Sequence, residues 1–211
     1  MPPRVKPRSL LLASGGLDST TLAFWLRHRG IPFEPLFVNY GQHCAATELA
    51  TLRRVLPKAA LRRLSIVDVS SVYAGSSSRL IKATDLWRER IDKDDLYLPY
   101  RNILLLSIAA ARVQSAGGGD IYTAFINSNH AIEIDCSSAF FGQLAQLLKS
   151  FGGVRVKMPF RFKSKLQVAR IGIRLGAPIG ETFSCQVNSD VPCGACPNCV
   201  DRLEALRMLK N

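Results

Sequence analysis

The stretch Ser14-Gly15-Gly16-Leu17-Asp18-Ser19-Thr20 decides how the rest of the chain is read. Residues 9–14 form a short apolar run, and residues 19–29 suit a helix that Gly30 closes. A strand, a tight turn and a helix in that order put the turn at the carboxyl edge of an α/β sheet, where such folds bind ligands. The paired glycines let main-chain amides approach phosphate oxygens, and the helix N-terminus adds partial positive charge. The hydroxyls of Ser14, Ser19 and Thr20 can donate further hydrogen bonds. Asp18 does not suit a plain anion cradle; it suits holding Mg²⁺ or capping the helix. The loop has neither the Lys of a Walker loop nor the spacing of a dinucleotide fingerprint. It reads as a nucleotide-phosphate loop of another kind.

Outward from it, residues 33–40 are rich in β-formers, residues 45–56 are helical up to Pro57, and residues 61–69 alternate as a third strand. This βαβαβ order implies a parallel sheet covered by helices. Residues 70–98 break the rhythm and read as an excursion over the active face. Residues 102–116 predict a strongly apolar helix, buried on much of its circumference and stopped by Gly117-Gly118-Gly119. A strand at 120–126, a loop at 127–137, a helix at 138–151 and a strand at 154–160 follow. Residues 163–175 read as a basic helix and residues 200–209 as the last one. The economical division is an α/β domain over residues 1–180 and a cysteine-bearing lobe over residues 181–211.

A chain of 211 residues can bury about 70% of its unfolded surface. With 47% apolar and 21% charged residues it is globular, which excludes disordered, collagenous and coiled-coil classes. The longest apolar stretches, such as residues 103–111, fall short of the roughly 20 residues that span a bilayer. A membrane partner is therefore not expected. The basic start leads only into Ser9-Leu10-Leu11-Leu12-Ala13, too short for a signal-peptide core, so a cytoplasmic location is expected. The net charge of +12 is unevenly spread: residues 149–174 hold eight Lys or Arg and no acid, and residues 53–63 hold five and none. Such fields attract phosphates, RNA or an acidic protein, although a solvated surface with a few nucleotide contacts accounts for them as well.

Four of the six cysteines lie near the C-terminus. Cys185, Cys193, Cys196 and Cys199, separated by seven, two and two residues, can close a tetrahedral Zn²⁺ site, with Gly194 suiting a tight knuckle. Cys44 and Cys136 stand apart. Arg202 would orient the last helix or contact phosphate.

The phosphate loop resembles that of the ATP-pyrophosphatases, which cleave ATP to AMP and pyrophosphate to adenylate a substrate. Three further stretches narrow the resemblance. They are Asn39-Tyr40-Gly41-Gln42, Leu98-Pro99-Tyr100-Arg101-Asn102, and Ser184-Cys185 ahead of Cys193-Gly194-Ala195-Cys196-Pro197-Asn198-Cys199-Val200-Asp201-Arg202. In that order, from Leu10 to about Arg207, they resemble the 7-cyano-7-deazaguanine synthase (QueC) family. The resemblance implies a five-stranded parallel sheet of the adenine nucleotide α-hydrolase (HUP) type, a structural zinc, Mg²⁺ with ATP, and a homodimer. It implies adenylation of a 7-carboxy-7-deazaguanine-type carboxylate, followed by attack of an amine. Carried over by position, it makes residues 14–20 ATP-binding, Asp18, Arg101 and Lys165 catalytic, and Tyr40, Gln42, Asn102, Asn129 and Asp135 substrate-binding. Arg101 stands at a helix start, and Lys165 follows where members carry a Lys at the end of the fifth strand.

Departures from the family pattern concentrate in Phe125-Ile126-Asn127-Ser128-Asn129-His130-Ala131-Ile132-Glu133-Ile134-Asp135-Cys136-Ser137. Members carry a Gly-Tyr-Pro there that is missing, an Asp where Asn129 stands and an Arg where Ser137 stands. After Gln42 the usual Arg-His becomes His43-Cys44. His43, His130 and Glu133 could be new acid/base groups, or satisfied structural residues. Two alternatives to the plain synthase follow. One is a defence-associated variant that joins the deazaguanine carboxylate to a macromolecular amine; the other is a tRNA-modifying enzyme of the same loop class, which the basic helix favours and the cysteine pattern disfavours.

Overall fold

The computed structural model describes residues 8–83, 93–126, 136–188 and 190–209. Strands β1 (Arg8–Leu12), β2 (Phe33–Asn39), β3 (Ser65–Asp68), β4 (Gly119–Tyr122) and β5 (Val154–Lys157) form one sheet in the order β3-β2-β1-β4-β5. Every pairing is parallel. The α/β class with five parallel strands is thus as the sequence predicts.

Both faces are covered because the strands alternate apolar side chains to both sides. Leu11, Phe33 and Phe37 point to the layer of α1 (Leu17–His28), α2 (Ala45–Val55), α3 (Lys58–Leu61), α6 (Lys165–Arg174) and α7 (Pro197–Met208), where Leu22, Leu26, Leu52, Ala60, Val168 and Ala205 meet them. Leu10, Leu36 and Val38 point the other way, to Leu106, Ala109, Val113 and Leu144 of α4 (Arg101–Ser115) and α5 (Ser138–Phe151). A third cluster joins Cys44, Leu80, Leu96 and Leu98 to Phe183, Val187 and the buried cysteines, so the C-terminal segment shares its apolar floor with the excursion after β3.

Several boundaries differ from the sequence reading. Residues 61–69 are not one strand: Pro57 starts the helical turn α3, with Leu61 N–H bonded to the Pro57 carbonyl at 2.9 Å, and β3 spans only Ser65–Asp68. Helix α4 is buried along a single stripe, Asn102, Leu106, Ala109, Ala110 and Val113, while Ile103 is 37% exposed, because the helix lies on one face of the sheet. Strand β5 ends at Lys157, two residues before Pro159, which cannot donate to a ladder. Helix α7 starts at Pro197, a favoured first helical position, so the Cys199 ligand candidate already belongs to it. Among the described residues no helix is long and apolar enough to cross a membrane.

Gly15 sets where the loop of residues 14–20 sits. Its φ is +77°, and a Cβ built there would stand 2.8 Å from both the Glu48 carbonyl oxygen and the Leu52 amide nitrogen of α2. Backbone meets backbone, so neither side can rotate away. Gly15→Ala is expected to cost about 2–4 kcal/mol, from the left-handed conformation and the overlap together, measurable by urea denaturation.

Candidate active site

A cavity of about 260 Å³ opens at the carboxyl ends of β1, β2 and β4, where the strand order reverses. Ser14, Gly16, Asp18, Ser19, Tyr40, Gln42, Glu48, Arg101, Asn102, Thr123, Phe125 and Gln186 line it. A more open depression of about 780 Å³ lies at the amino ends of the strands, but its Arg112 is already paired with Glu34 at 2.7 Å. The chemistry-bearing residues gather at the smaller cavity.

The loop is ordered by its own hydroxyls. Ser14 N–H donates to Ser19 Oγ at 3.3 Å, Ser19 Oγ donates to the Gly16 carbonyl at 3.2 Å, and Gly16 N–H donates to Ser14 Oγ at 3.4 Å. Leu17 and Thr20 turn into the core, both fully buried, so the Thr20 hydroxyl does not face the cavity. Asp18 does not cap α1, whose N-cap is Gly16 without a side-chain bond. Its Oδ2 instead accepts from Lys165 Nζ at 2.6 Å, with both side chains mostly shielded. Lys165 is the first residue of α6 rather than the end of a strand, and the capping box of Ser164 and Gln167 holds that helix start. Asp18 Oδ1 is buried with no hydrogen-bond partner among the described residues. A buried orphan carboxylate oxygen is costly, and a hard cation such as Mg²⁺ would satisfy it.

On the opposite wall a polar chain runs inward. Tyr40 N–H donates to Gln42 Oε1 at 2.9 Å, and Gln42 Nε2 donates to Glu48 Oε2 at 2.9 Å and to the Val38 carbonyl at 3.3 Å. Burial pushes the Glu48 carboxyl up to about 7, against the Gln42 hydrogen bond and the Arg101 charge that lower it. Burial likewise raises the Tyr40 phenol, again opposed by Arg101. Glu48 is a site residue that the sequence does not single out: a Glu in the first turn of a helix reads as an ordinary dipole partner. Arg101 opens α4 directly after Tyr100, which is 72% exposed and holds φ +59°. A left-handed non-glycine residue costs on the order of 1–3 kcal/mol, and it persists here at the turn that aims Arg101 at the cavity. Asn102, buried behind it, donates from Nδ2 to Cys136 Sγ at 3.0 Å.

Asn129, His130, Glu133 and Asp135 lie outside the described residues. The two ends of their segment are described, and Arg161 joins them: Nη2 donates to the Cys136 carbonyl at 2.7 Å and Nη1, at 3.5 Å, to that of Ile126. Its guanidinium lies 5.3 Å from the Phe141 ring centroid. In the sequence Arg161 is one of eight cations in a basic run, and nothing there sets it apart. His43 is tied down, its Nε2 3.0 Å from the Gln186 carbonyl oxygen. Arg202 is buried and donates to the Gly180 carbonyl at 2.9 Å and to Thr182 Oγ1 at 3.3 Å, so it orients the segment before Cys185.

The sulfurs of Cys185, Cys193, Cys196 and Cys199 lie within 4.8 Å of one another, and the Cys193 and Cys199 sulfurs are 3.9 Å apart. Zn–S bonds of about 2.3 Å in a tetrahedron put sulfurs about 3.8 Å apart, so this cluster could hold such an ion. Amides of Asn188 and Cys193 donate to Cys185 Sγ at 3.2 and 3.4 Å, and that of Cys196 to Cys193 Sγ at 3.2 Å, as thiolate ligands require. Gly194, at φ +74°, makes the knuckle. The cluster bears on the cavity, since Phe183 N–H donates to the Gly15 carbonyl at 3.2 Å and Gln186 lines the wall. Elemental analysis of the purified protein should find about one zinc per chain. Changing Cys196 and Cys199 together to Ser should remove it and lower the melting temperature by more than 10 °C, the range expected when a closed structural site is lost.

A family model described as "Queuosine biosynthesis protein QueC" matches residues 8–210. The 7-cyano-7-deazaguanine synthase of Methanospirillum hungatei is 30% identical, with 96% of each chain covered. Those of Hahella chejuensis and Archaeoglobus fulgidus are 32% and 31% identical over 94% of this chain and 87% and 85% of their own. With nearly its whole length matched by the model and by such relatives, the chain belongs to the QueC family.

Proposed function

We propose that the cavity binds ATP and a 7-deazaguanine-type carboxylate, joins them as an acyl-adenylate with release of pyrophosphate, and lets a nitrogen nucleophile displace AMP. The observation that carries this reading is Asp18: one oxygen is held by Lys165 and the other is, among the described residues, an unpartnered acceptor, beside a Gly-Gly loop on the cavity wall. The names of the relatives, 7-cyano-7-deazaguanine synthase, supply the substrate class.

The chemistry explains why activation is needed. A carboxylate is a poor acceptor because oxide is a bad leaving group, whereas AMP leaves readily. In the first step a carboxylate oxygen attacks the α-phosphorus and pyrophosphate departs with the bonding electrons. Main-chain amides of residues 14–19 cradle the pyrophosphate, and Arg101 and Lys165 neutralise charge that develops at the α-phosphate. Mg²⁺, held by Asp18 when bound, would screen the phosphates. Tyr40, Gln42 and Asn102 face the deazaguanine-type substrate, and Asn129 and Asp135, outside the described residues, take the same role from the family resemblance. Apolar wall residues such as Leu105 and Phe125 limit water, which would hydrolyse the adenylate. The zinc is structural, since four cysteines leave no open ligand position. Residues 1–180 form the catalytic domain and residues 181–211 the lobe that braces it.

A second reading is favoured by the departure of residues 125–137 from the family pattern: the acceptor is an amine on a macromolecule, drawn in by the basic field, rather than ammonia. Incubation with ATP, Mg²⁺ and 7-carboxy-7-deazaguanine, with and without ammonium, followed by mass analysis, separates the two. Carboxylate-dependent AMP release is expected in both; rapid and complete conversion to the nitrile with ammonium alone would exclude the second. Asp18→Ala should lower carboxylate-dependent AMP formation by at least about 100-fold while leaving the melting curve in place, and undiminished AMP release by that variant would refute the assignment of the loop.

A further inference from the structure

The second half of the proposed reaction needs a group that has no assigned bearer. An amine or ammonia is mostly protonated at neutral pH, and a protonated nitrogen has no lone pair to attack with. The adenylate and ammonium give amide, AMP and two protons. One proton leaves nitrogen before the C–N bond forms. The other leaves as the tetrahedral adduct collapses, the C–O bond breaks, and AMP departs with its electrons. A side chain must take these protons in turn and return them to water.

Four titratable side chains line the cavity among the described residues: Asp18, Tyr40, Glu48 and Arg101. Asp18 is committed to Lys165 at 2.6 Å, and its other oxygen suits a cation. Tyr40 keeps its proton, since burial raises its phenol, and Arg101 does not deprotonate. Glu48 remains. Its Oε2 is fixed by Gln42 Nε2 at 2.9 Å, which orients the carboxylate, and among the described residues no hydrogen bond is made to Oε1. The Arg101 charge acts on it from α4.

We propose that Glu48 is the proton acceptor for the nitrogen nucleophile, through Oε1, in the step that follows activation. This rests on the adenylation reading above. Its carboxyl, raised to about 7 by burial, can both take and release a proton at neutral pH. The groups that set this balance are Gln42 and Arg101, with Tyr40 and Cys44 as the neighbours whose own ionisation it disfavours. The fold gives up stability to keep it there. A carboxyl with its folded value above its unfolded one costs nothing at low pH, and the cost develops as pH rises from the ordinary value of 4.5 through about 7.

The test uses Glu48→Gln, which keeps the shape and removes the base, with three readouts on the purified full chain. Carboxylate-dependent exchange of labelled pyrophosphate into ATP should stay within about 3-fold of the parent, while amide formation from ammonium falls by about 100-fold. Hydroxylamine is largely unprotonated at neutral pH, so hydroxamate formation should fall far less than the ammonium reaction. Amide formation at the parental rate would overturn the proposal. So would equal loss of exchange, amide and hydroxamate, which would make Glu48 a structural or ATP-side residue. Should Glu48→Gln not fold, Glu48→Ala with added formate gives the same answer: recovery of the ammonium reaction supports a missing base, and no recovery overturns it. Absence of exchange in the parent protein would strike the adenylation reading itself, a result distinct from any of these.

Discussion

The close approach of α2 to Gly15 is the constraint on which the site depends. The loop's main chain touches the main chain of α2 with no side chain between them, and the Gly15 carbonyl accepts the Phe183 amide. The loop of residues 14–20 is thereby gripped from two directions, by the first helical layer and by the segment that carries the cysteine cluster. Backbone contacts have no rotamers with which to adjust, so the loop, the Glu48 turn of α2 and the tail move together or not at all. A metal held by Cys185, two residues along the chain from Phe183, and by Cys193, Cys196 and Cys199 would bear on loop geometry through that hydrogen bond.

Polar burial at this cavity is expensive, and the expense is concentrated where chemistry would use it. Asp18 Oδ1 has no hydrogen-bond partner among the described residues, Glu48 is pushed toward neutrality, and Tyr100 sits in a left-handed conformation directly before Arg101. Arg202, away from the cavity, is bonded to carbonyls and a hydroxyl, whereas the hydroxyls of Thr20, Thr21 and Thr123 are, like Asp18 Oδ1, buried without a hydrogen-bond partner among the described residues. The ionisable part of that expense, Asp18 and Glu48, lies at the cleft, where charge chemistry would use it.

The charge of +12 looks different once the chain is folded. In the run of residues 149–174, Arg155 is paired with Asp120 at 2.6 Å, Lys165 with Asp18, and Arg161 with two carbonyls at the ends of the segment between Ile126 and Cys136. Three of the eight cations are thus engaged internally. Lys149, Lys157, Arg170 and Arg174 remain exposed, so the field available to an acidic partner is narrower than the composition suggests.

Much of this was legible in one dimension. The order of strands and helices, the phosphate loop and the four clustered thiols each depend on neighbours within a few positions, where turn chemistry, apolar alternation and ligand spacing operate. The shortened third strand and the early start of α7 depart from the sequence expectation because Pro57 and Pro197 each open a helix where residues on either side suggest something else. Other features required the fold. Lys165 and Asp18 are 147 residues apart, and the Arg161 bond to Cys136 spans 25. Which cation meets which acceptor follows from the strand order β3-β2-β1-β4-β5, which brings the ends of β1, β2 and β4 to one cleft. Glu48 reads in sequence as a surface residue, and in the fold it is half-buried in the cavity wall. Its identity as an acid was written in the chain; its raised proton affinity comes from desolvation, a property that exists only when Gly15, Gln42 and Arg101 have closed around it.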